Sequence, residues 1–447
     1  MTMDRTLVDA LRSALTGPVL LPGDDGYEAA STVAVDTGSP AAVVLPATAG
    51  DVAQAVRFAA FEQLLLSVRS GGHSASGHGT NAGGLVINLT SLASVTVEPD
   101  GLVAVGGGAV WGDIAAALSE HGLAISSGDT ISVGVGGLTL GGGIGWLVRT
   151  HGLALDHLVA AEVVTAAGDI VTADASTHPD LFWAIRGGGG NFGIVTSFTF
   201  QAHPIGKVVG GSISFGMDAL ESTLTGWRNA MRSAPEELNT TLVAMPAFGP
   251  FPAGVQLLVC YAGDDEEEAA AAVAPLLALP GVASHELKPM AYAEMLDEAH
   301  PPAGPIAMVD NNGFSPELTD AAIDELAGYF RSLDASVLMV RSLGGAFNRV
   351  PADATAFAHR GSEALIISVA FLAEDAEDEA VQGVHDRWLP VAAHLSGTYA
   401  NFRSGTDESV VAQMYPPSTR ERLAAIKHRY DPENLFNQNL NVRPVAG

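Results

Sequence analysis

The sequence predicts an α+β protein, made of a two-subdomain module followed by a second α+β domain. Three observations predict it. Residues 35–95 alternate short apolar runs with one helical period, a β-α-β arrangement. Residues 95–205 read mostly as short strands joined by turns, an antiparallel sheet subdomain. After Pro204 the glycine clusters thin out, and a strand–helix–strand texture runs to about residue 400, as expected of an antiparallel sheet covered by helices. The expected units are 1–205, 206–400 and a C-terminal segment, 401–447.

Each element has its own signal. Ala42–Pro46 is a compact apolar run and reads as a strand. Thr48–Asp51 is a helix entry, and Val52–Glu62 keeps the 3.6-residue period. Leu64–Val68 and Leu85–Leu89 are two further strands, separated by a glycine loop over Ser70–Gly84. Leu102–Val105 is a strand and Val110–His121 a helix. Thr130–Val148 holds seven glycines in 19 residues, which reads as loop and tight packing and not as a membrane-spanning helix. Ala160–Val164, Ile170–Val171 and Gly193–Phe200 are strand-like, Ala167-Gly168-Asp169 marks a hairpin, and Leu181–Ile185 is a short helix after Pro179. In the second domain Ser212–Phe215, Thr241–Met245, Gln256–Tyr261, Val337–Arg341 and Leu365–Leu372 read as strands. Asp264–Leu277, Ser315–Leu333 and Glu374–Leu395 read as helices. Ser418–Tyr430 is a last helix, ended by the turn Asp431–Asn434.

Composition narrows the function. The net charge is −29 because 50 acidic residues face only 21 basic ones, three of them lysines (Lys207, Lys288 and Lys427). No basic stripe is available to neutralise a nucleic acid, and an anionic membrane would repel the chain. Cys260 is the single cysteine, so an intramolecular disulfide and a cysteine metal cluster are both excluded. The start, Met1 to Arg5, has no basic run followed by an apolar stretch, so no signal peptide and a cytoplasmic location are expected.

Most generic motifs fail on context. Gly188–Gly193 matches the spacing GxGxxG, but a strand follows it where a dinucleotide site needs a helix. No Walker pattern occurs. The acidic run Asp264–Glu268 sits at a helix start and complements its dipole while staying solvated. The pairs His73/His78 and His151/His157 lack metal-ligand spacing, and no metal site is expected. Ser70 and Ser74 are not in a nucleophile elbow. The loop Val68-Arg69-Ser70-Gly71-Gly72-His73-Ser74 is a stronger signal. A glycine pair after a strand lets backbone N–H groups approach an anion, with His73 beside them. The second tract, Val133 to Gly145, adds close-approach glycines at 134, 136, 137, 141, 142, 143 and 145. Two such tracts suggest an extended ligand with a pyrophosphate.

Four segments in order carry a family resemblance: Ser67–His73, Ser132–Gly143, Asp180–Gly193 and Arg422–Val442, the last holding Tyr430–Phe436 and Asn439-Leu440-Asn441. The chain resembles flavoproteins of the vanillyl-alcohol-oxidase/p-cresol-methylhydroxylase (PCMH) fold, in the berberine-bridge-enzyme-like branch, and within it the bacterial nicotine-type oxidases. The specific motifs cover about 35–205 and 397–442; the middle is similar only in texture. The resemblance implies a PCMH-type FAD-binding module at 1–205, a substrate domain at 206–400 and a C-terminal segment that returns to the first module. It implies FAD joined covalently through His73. It places Val68, Arg69, Ser70, Gly71, Gly72, Ser74, Thr130, Val133, Gly134, Val135, Gly136, Gly137, Leu138, Thr139, Gly143, Gly145, Ile194, Val195, Asn439 and Asn441 against the cofactor. Many members carry a second link from a cysteine; Thr130 stands at that position here, so a single link is expected. Val133 is at the position that gates dioxygen in the branch, where valine is permissive. Tyr399 and Asn401 match its Tyr-x-Asn pattern on the substrate face, and are the expected catalytic pair. Tyrosine can position a substrate N–H or O–H, or accept its proton if its pKa is depressed.

The expected activity is therefore an FAD-dependent oxidase. It would remove a hydride from a small amine or alcohol and pass the electrons to dioxygen, with sugars as poor substrates. A dehydrogenase or oxidative cyclase with another acceptor is the alternative on the same fold, and a non-enzymatic flavin-binding protein the alternative of a different class. Oligomeric state, a homodimer included, is left open by the sequence.

Overall fold

The computed structural model describes residues 4–247, 253–298 and 306–445. Its first half holds two principal sheets. The smaller has the strand order Val19–Leu20, Ala42–Val44, Leu85–Asn88, Leu66–Arg69, with the first pair antiparallel and the rest parallel. The helix Ala49–Phe61 makes the crossover, and the Thr48 side chain caps it by accepting from the Asp51 N–H. It buries Val52, Ala55, Val56 and Ala59 against Val44, Leu66, Leu85 and Ile87. The second sheet is antiparallel throughout: Val95–Val97, Leu102–Gly106, Ile194–Gln201, Leu158–Val164, Ile170–Asp174. Gly168, at φ +76°, turns its outer hairpin.

The second half is one antiparallel sheet of seven strands. Their order is Val282–Ala291, Lys207–Phe215, Gly254–Tyr261, Leu238–Met245, Ser336–Ser342, Ala364–Ala373, Ile306–Ser315. Alternation sends Ile213, Leu242, Leu257, Val340 and Ile366 to one face, where the helices Leu220–Ser233, Glu266–Leu277, Asp320–Arg331 and Asp378–Ala392 cover them. The opposite face turns toward the first half. The chain then comes back: Leu423, Ile426, Tyr430 and Val442 enter the core built by Trp111, Phe198 and Phe200.

The differences from the expected elements have physical causes. Thr130–Val148 is not all loop, because Val135–Gly141 forms a short helix despite its glycines. The strand Val282–Ala291 gave no alternating signal because it is a solvated edge carrying His285, Glu286, Lys288 and Pro289. The strand Ile306–Ser315 contains Asp310, Asn311, Asn312 and Gly313, residue types depleted in strands. The helix expected from Ser315 accordingly starts at Asp320, and Ser315 ends the strand. The helices Arg5–Ala14 and Leu220–Ser233 were not anticipated. Among the described residues no helix is long and apolar enough to cross a membrane.

Candidate active site

The two glycine tracts meet. A Cβ on Gly71 would stand 2.3 Å from the Gly134 nitrogen, and one on Gly134 would stand 2.1 Å from the Gly71 nitrogen. No other residue type allows this approach. Ser70 staples the contact: its Oγ donates to the Gly107 carbonyl (2.7 Å) and accepts from the Gly136 N–H (3.2 Å). Past the contact, the successive N–H groups of Gly71, Gly72, His73 and Ser74 meet no acceptor among the described residues. Gly72 takes φ +78° there. Four unpaired donors in a row form an anion nest.

The cradle is narrower than the sequence suggested. The Val135 N–H donates to the Ala109 carbonyl and the Gly136 N–H to Ser70, so neither is free for a phosphate. Gly143 and Gly145 serve protein packing: added Cβ atoms would strike Ala154 and the Ser127 carbonyl. Arg69 stays beside the nest, with its Nε 3.1 Å from where a Cβ on Gly72 would stand, buried and unpaired, while its Nη1 donates to the carbonyls of Ala29 and Ala30. Gly137 borders open space, and Ser132 beside it is exposed. Val68 is half-buried against the core of the small sheet, as is Val133 against that of the five-stranded one. Ile194 and Val195 lie in those same two cores, so their side chains are spent on packing. Thr130 is half-buried beside Asp297, with which it forms an isolated bridge.

His73 stands on the nest loop, half-buried and without a hydrogen bond among the described residues. Burial, and then the charge of Arg69, push its imidazole below the ordinary value. It is therefore neutral at pH 7, the form with a nucleophilic ring nitrogen. His78, five residues on, is pushed down to about 4 by burial.

The short helix Val135–Gly141 links this loop to the tyrosine. Its N-terminal end rests on Ser70 and Gly71. Beyond its C-terminal end the Gly143 N–H donates to the Tyr399 hydroxyl oxygen (3.0 Å). Asn401 Nδ2 donates to the same oxygen (2.9 Å) and to the Leu138 carbonyl (3.2 Å). A Cβ on Gly141 would collide with Asn401, and one on Gly142 would press on Tyr399 and Phe357. Tyr399 is buried with Phe314, Phe357 and Ile144. Burial drives its pKa up to about 12, against the lowering effects of the Gly143 and Ile144 N–H groups, Asn401 and the charge of Arg341. Tyr399 therefore keeps its proton at neutral pH, and the proton-accepting role open to a depressed tyrosine does not apply. Its own hydroxyl hydrogen has no acceptor among the described residues.

Two residues in this site were not anticipated. Asn312 grips the turn that carries the pair: its Oδ1 accepts from the Tyr399 N–H (2.7 Å) and the Thr398 hydroxyl (2.9 Å), and its Nδ2 donates to the carbonyls of Tyr399 and Phe402. Arg341 forms a two-pronged ion pair with Asp129, next to Thr130, and ties the large sheet to that loop. A polar side chain in mid-strand was the available signal for both, and Asn312 lay in a strand that sequence reading left out. Cys260 is fully buried with Trp146 and Tyr292, and desolvation raises its thiol pKa, so it is inert.

The residues fit FAD. The nest loop offers donors for a pyrophosphate. Asn439 and Asn441 bring Oδ1 atoms that are buried and unpaired, as is the Thr139 hydroxyl. Asn439 and Asn441 also line a cleft of about 780 Å³ that reaches Ser76 and His78, just past His73. Among the described residues no group of His, Cys, Asp or Glu is arranged to hold a metal ion.

Comparisons with known proteins place the chain among FAD-linked proteins. A family model described as an FAD binding domain matches residues 40–174, and one described as berberine and berberine-like matches 398–443. The chain is 31% identical to the uncharacterized FAD-linked oxidoreductase YgaK of Bacillus subtilis, over 97% of this chain and 98% of that one. It is 29% identical to (R)-6-hydroxynicotine oxidase of Paenarthrobacter nicotinovorans, over 96% and 97%. Among solved structures it matches xylooligosaccharide oxidase from Myceliophthora thermophila with a TM-score of 0.86 and 27% identity, over 99% of this chain and 100% of that one. It matches 6-hydroxy-D-nicotine oxidase from Arthrobacter nicotinovorans with a TM-score of 0.85 and 27% identity, over 96% and 98%.

Proposed function

The chain belongs to the berberine-bridge-like FAD-linked oxidoreductases, and from that premise we propose that it is an oxidase: it removes two electrons from a C–NH or C–OH donor, passes them to dioxygen and releases hydrogen peroxide. The balance is one substrate CH–XH plus dioxygen giving C=X plus hydrogen peroxide, where X is nitrogen or oxygen. The observation that carries the reading is the helix Val135–Gly141, with the His73 loop at one end and the Tyr399–Asn401 pair at the other. When bound, the flavin accepts the hydride and supplies the route to dioxygen.

The chain's own residues do the rest. The Gly71–Ser74 donors hold the pyrophosphate, and Asn439 and Asn441 hold the ring or its ribityl chain. The neutral His73 would provide the single covalent attachment, since Thr130 has no thiol for a second; that bond would replace a C–H bond of the cofactor, and the two electrons released would have to leave to dioxygen. Tyr399, its oxygen already occupied by Gly143 and Asn401, presents its hydroxyl hydrogen to a lone pair on the substrate heteroatom and so fixes the reacting carbon. Held protonated by burial, Tyr399 is a positioning donor and not a base. With no base at Tyr399, an amine fits if it gives its ammonium proton to solvent and binds as the free base, which can lose hydride without a further deprotonation. Half-buried Val133 leaves dioxygen an approach that a bulkier side chain would narrow. Peroxide detection across amines, alcohols and sugars tests the reading. Peroxide formed in step with oxygen uptake supports it, and substrate oxidation that needs an added dye as acceptor overturns it.

A further inference from the structure

The sheet face that looks toward Tyr399 can be followed strand by strand. One row across it is Leu258, Thr241, Arg341, Leu365 and Phe314, paired in register. This row is closed. Arg341 is spent on Asp129, the Thr241 hydroxyl and the Ile144 carbonyl, and Phe314 packs edge-on against Tyr399 at 6.2 Å. The next row is Gln256, Val243, Met339, Ile367 and Asn312. Asn312 is spent on the Tyr399 turn. Met339, with Val369 one step farther, packs half-buried against the cluster that holds Tyr399. Asp310, opposite Val369, is spent on Ser404 and Arg403. At the rim Met308 and Phe402 are exposed. Gln256 is exposed and its side chain makes no hydrogen bond among the described residues, and neither do those of Ser214 and Ser284 beyond it in the same row.

From this arrangement we infer that the substrate site takes a compact apolar ring, bearing one heteroatom at the reacting carbon, and selects against polyhydroxylated substrates. Val243, Met339, Ile367 and Val369 form the floor for the ring, while the uncommitted Gln256 and Ser214 lie four and five strands from Asn312, about 20 Å or more at the usual strand spacing and beyond the reach of a compact ring. The inference rests on the reading of Tyr399 as the substrate-positioning group. A sugar needs a partner for each hydroxyl it desolvates; here Arg341 and Asn312 are already paired with the protein, and the atoms nearby left without a hydrogen bond are Asp310 Oδ2 and Arg403 Nε, which are buried and already face each other as an ion pair. Methionine adapts to the outline of a ring and gains from aromatic contact.

Calorimetry on the flavin-loaded protein tests this without depending on turnover or acceptor. The probes are N-methylbenzylamine and benzyl alcohol against xylobiose and diacetylchitobiose. The expected result is that at least one ring probe binds tenfold or more tighter than either disaccharide, and that Met339→Gln weakens it about tenfold. Val243→Thr, nearly the same shape, gives the same direction if Met339→Gln does not fold. A disaccharide that binds as tightly as the ring probes, or ring binding unchanged in both variants, overturns the inference. The oxidase reading fails separately, if reduced protein is not reoxidised by dioxygen.

Discussion

His73 and Tyr399 are set by opposite uses of burial. Desolvation keeps His73 neutral, and makes Tyr399 keep its proton. His73→Ala should leave a protein that binds flavin but releases it in acid, read as loss of fluorescence from the denatured gel band. Tyr399→Phe should lower kcat by roughly a hundredfold, the scale of one well-placed hydrogen-bonding group, while flavin content stays at the parent level. Because burial raises Tyr399 to about 12, its ionisation should not shape the pH–rate profile between pH 6 and 10. A tyrosine-dependent rise in kcat near neutrality, absent in Tyr399→Phe, would contradict the positioning role. Asn312→Ala should slow kcat through the same turn, because it frees the backbone at 398–402 that Asn312 holds.

The elements explain why these residues stay in place. Lys427 is fully buried, and each of its three N–H donors is used: on Asn191, on Asp431 and on Phe436. Asp431 in turn accepts from the N–H groups of Leu435 and Phe436. Asn191 bonds Leu440 and Val442, so the glycine motif at 188–193 anchors the C-terminal segment that carries Asn439 and Asn441. Lys427→Met leaves a buried carboxylate without its partner. It should cost about 3–5 kcal/mol, seen as a lower Tm together with weaker flavin retention. A second cluster joins three short elements: His203 Nε2 and His157 Nδ1 lie 2.8 Å apart, and His151 stacks on His203. Burial depresses all three, His151 to about 4 and His157 to about 3. Their contribution to stability is present above the unfolded-state value near 6.5 and is lost as pH falls toward 4. Acid melting curves should show a steeper fall below pH 6 in the parent than in His157→Gln. The strands that are near-continuous apolar runs, such as Gln256–Tyr261 and Leu365–Leu372, were legible in the sequence, as were the glycines of the 70–74 loop. Val282–Ala291 was not, because an exposed edge needs no apolar face. Ile306–Ser315 was not, because its function puts Asn312 where a strand would ordinarily carry an apolar side chain. The phosphate cradle over 134–143 was overread, since a sequence shows glycines but not which N–H groups the protein itself consumes.

At the scale of the whole molecule, the active site is where three parts of the chain meet. The first half supplies the nest and the glycine helix, the seven-stranded sheet brings Asn312 and Arg341 to the Tyr399 turn and Asp129, and the C-terminal segment closes back on the first half. Arg341–Asp129 and Asn312 are the ties between them. The net charge of −29 acts beyond these contacts. It should concentrate cations at the site, so kcat/KM for a cationic amine donor should fall as ionic strength rises, while that for a neutral alcohol stays flat. On the proposed function, electrons leave this protein to dioxygen. The most direct measurement is stopped-flow mixing of the anaerobically reduced protein with air-saturated buffer, following the visible flavin band. Return of the oxidised spectrum within seconds, with one hydrogen peroxide formed per flavin, is the predicted result; a reduced flavin that persists for minutes in air would contradict it.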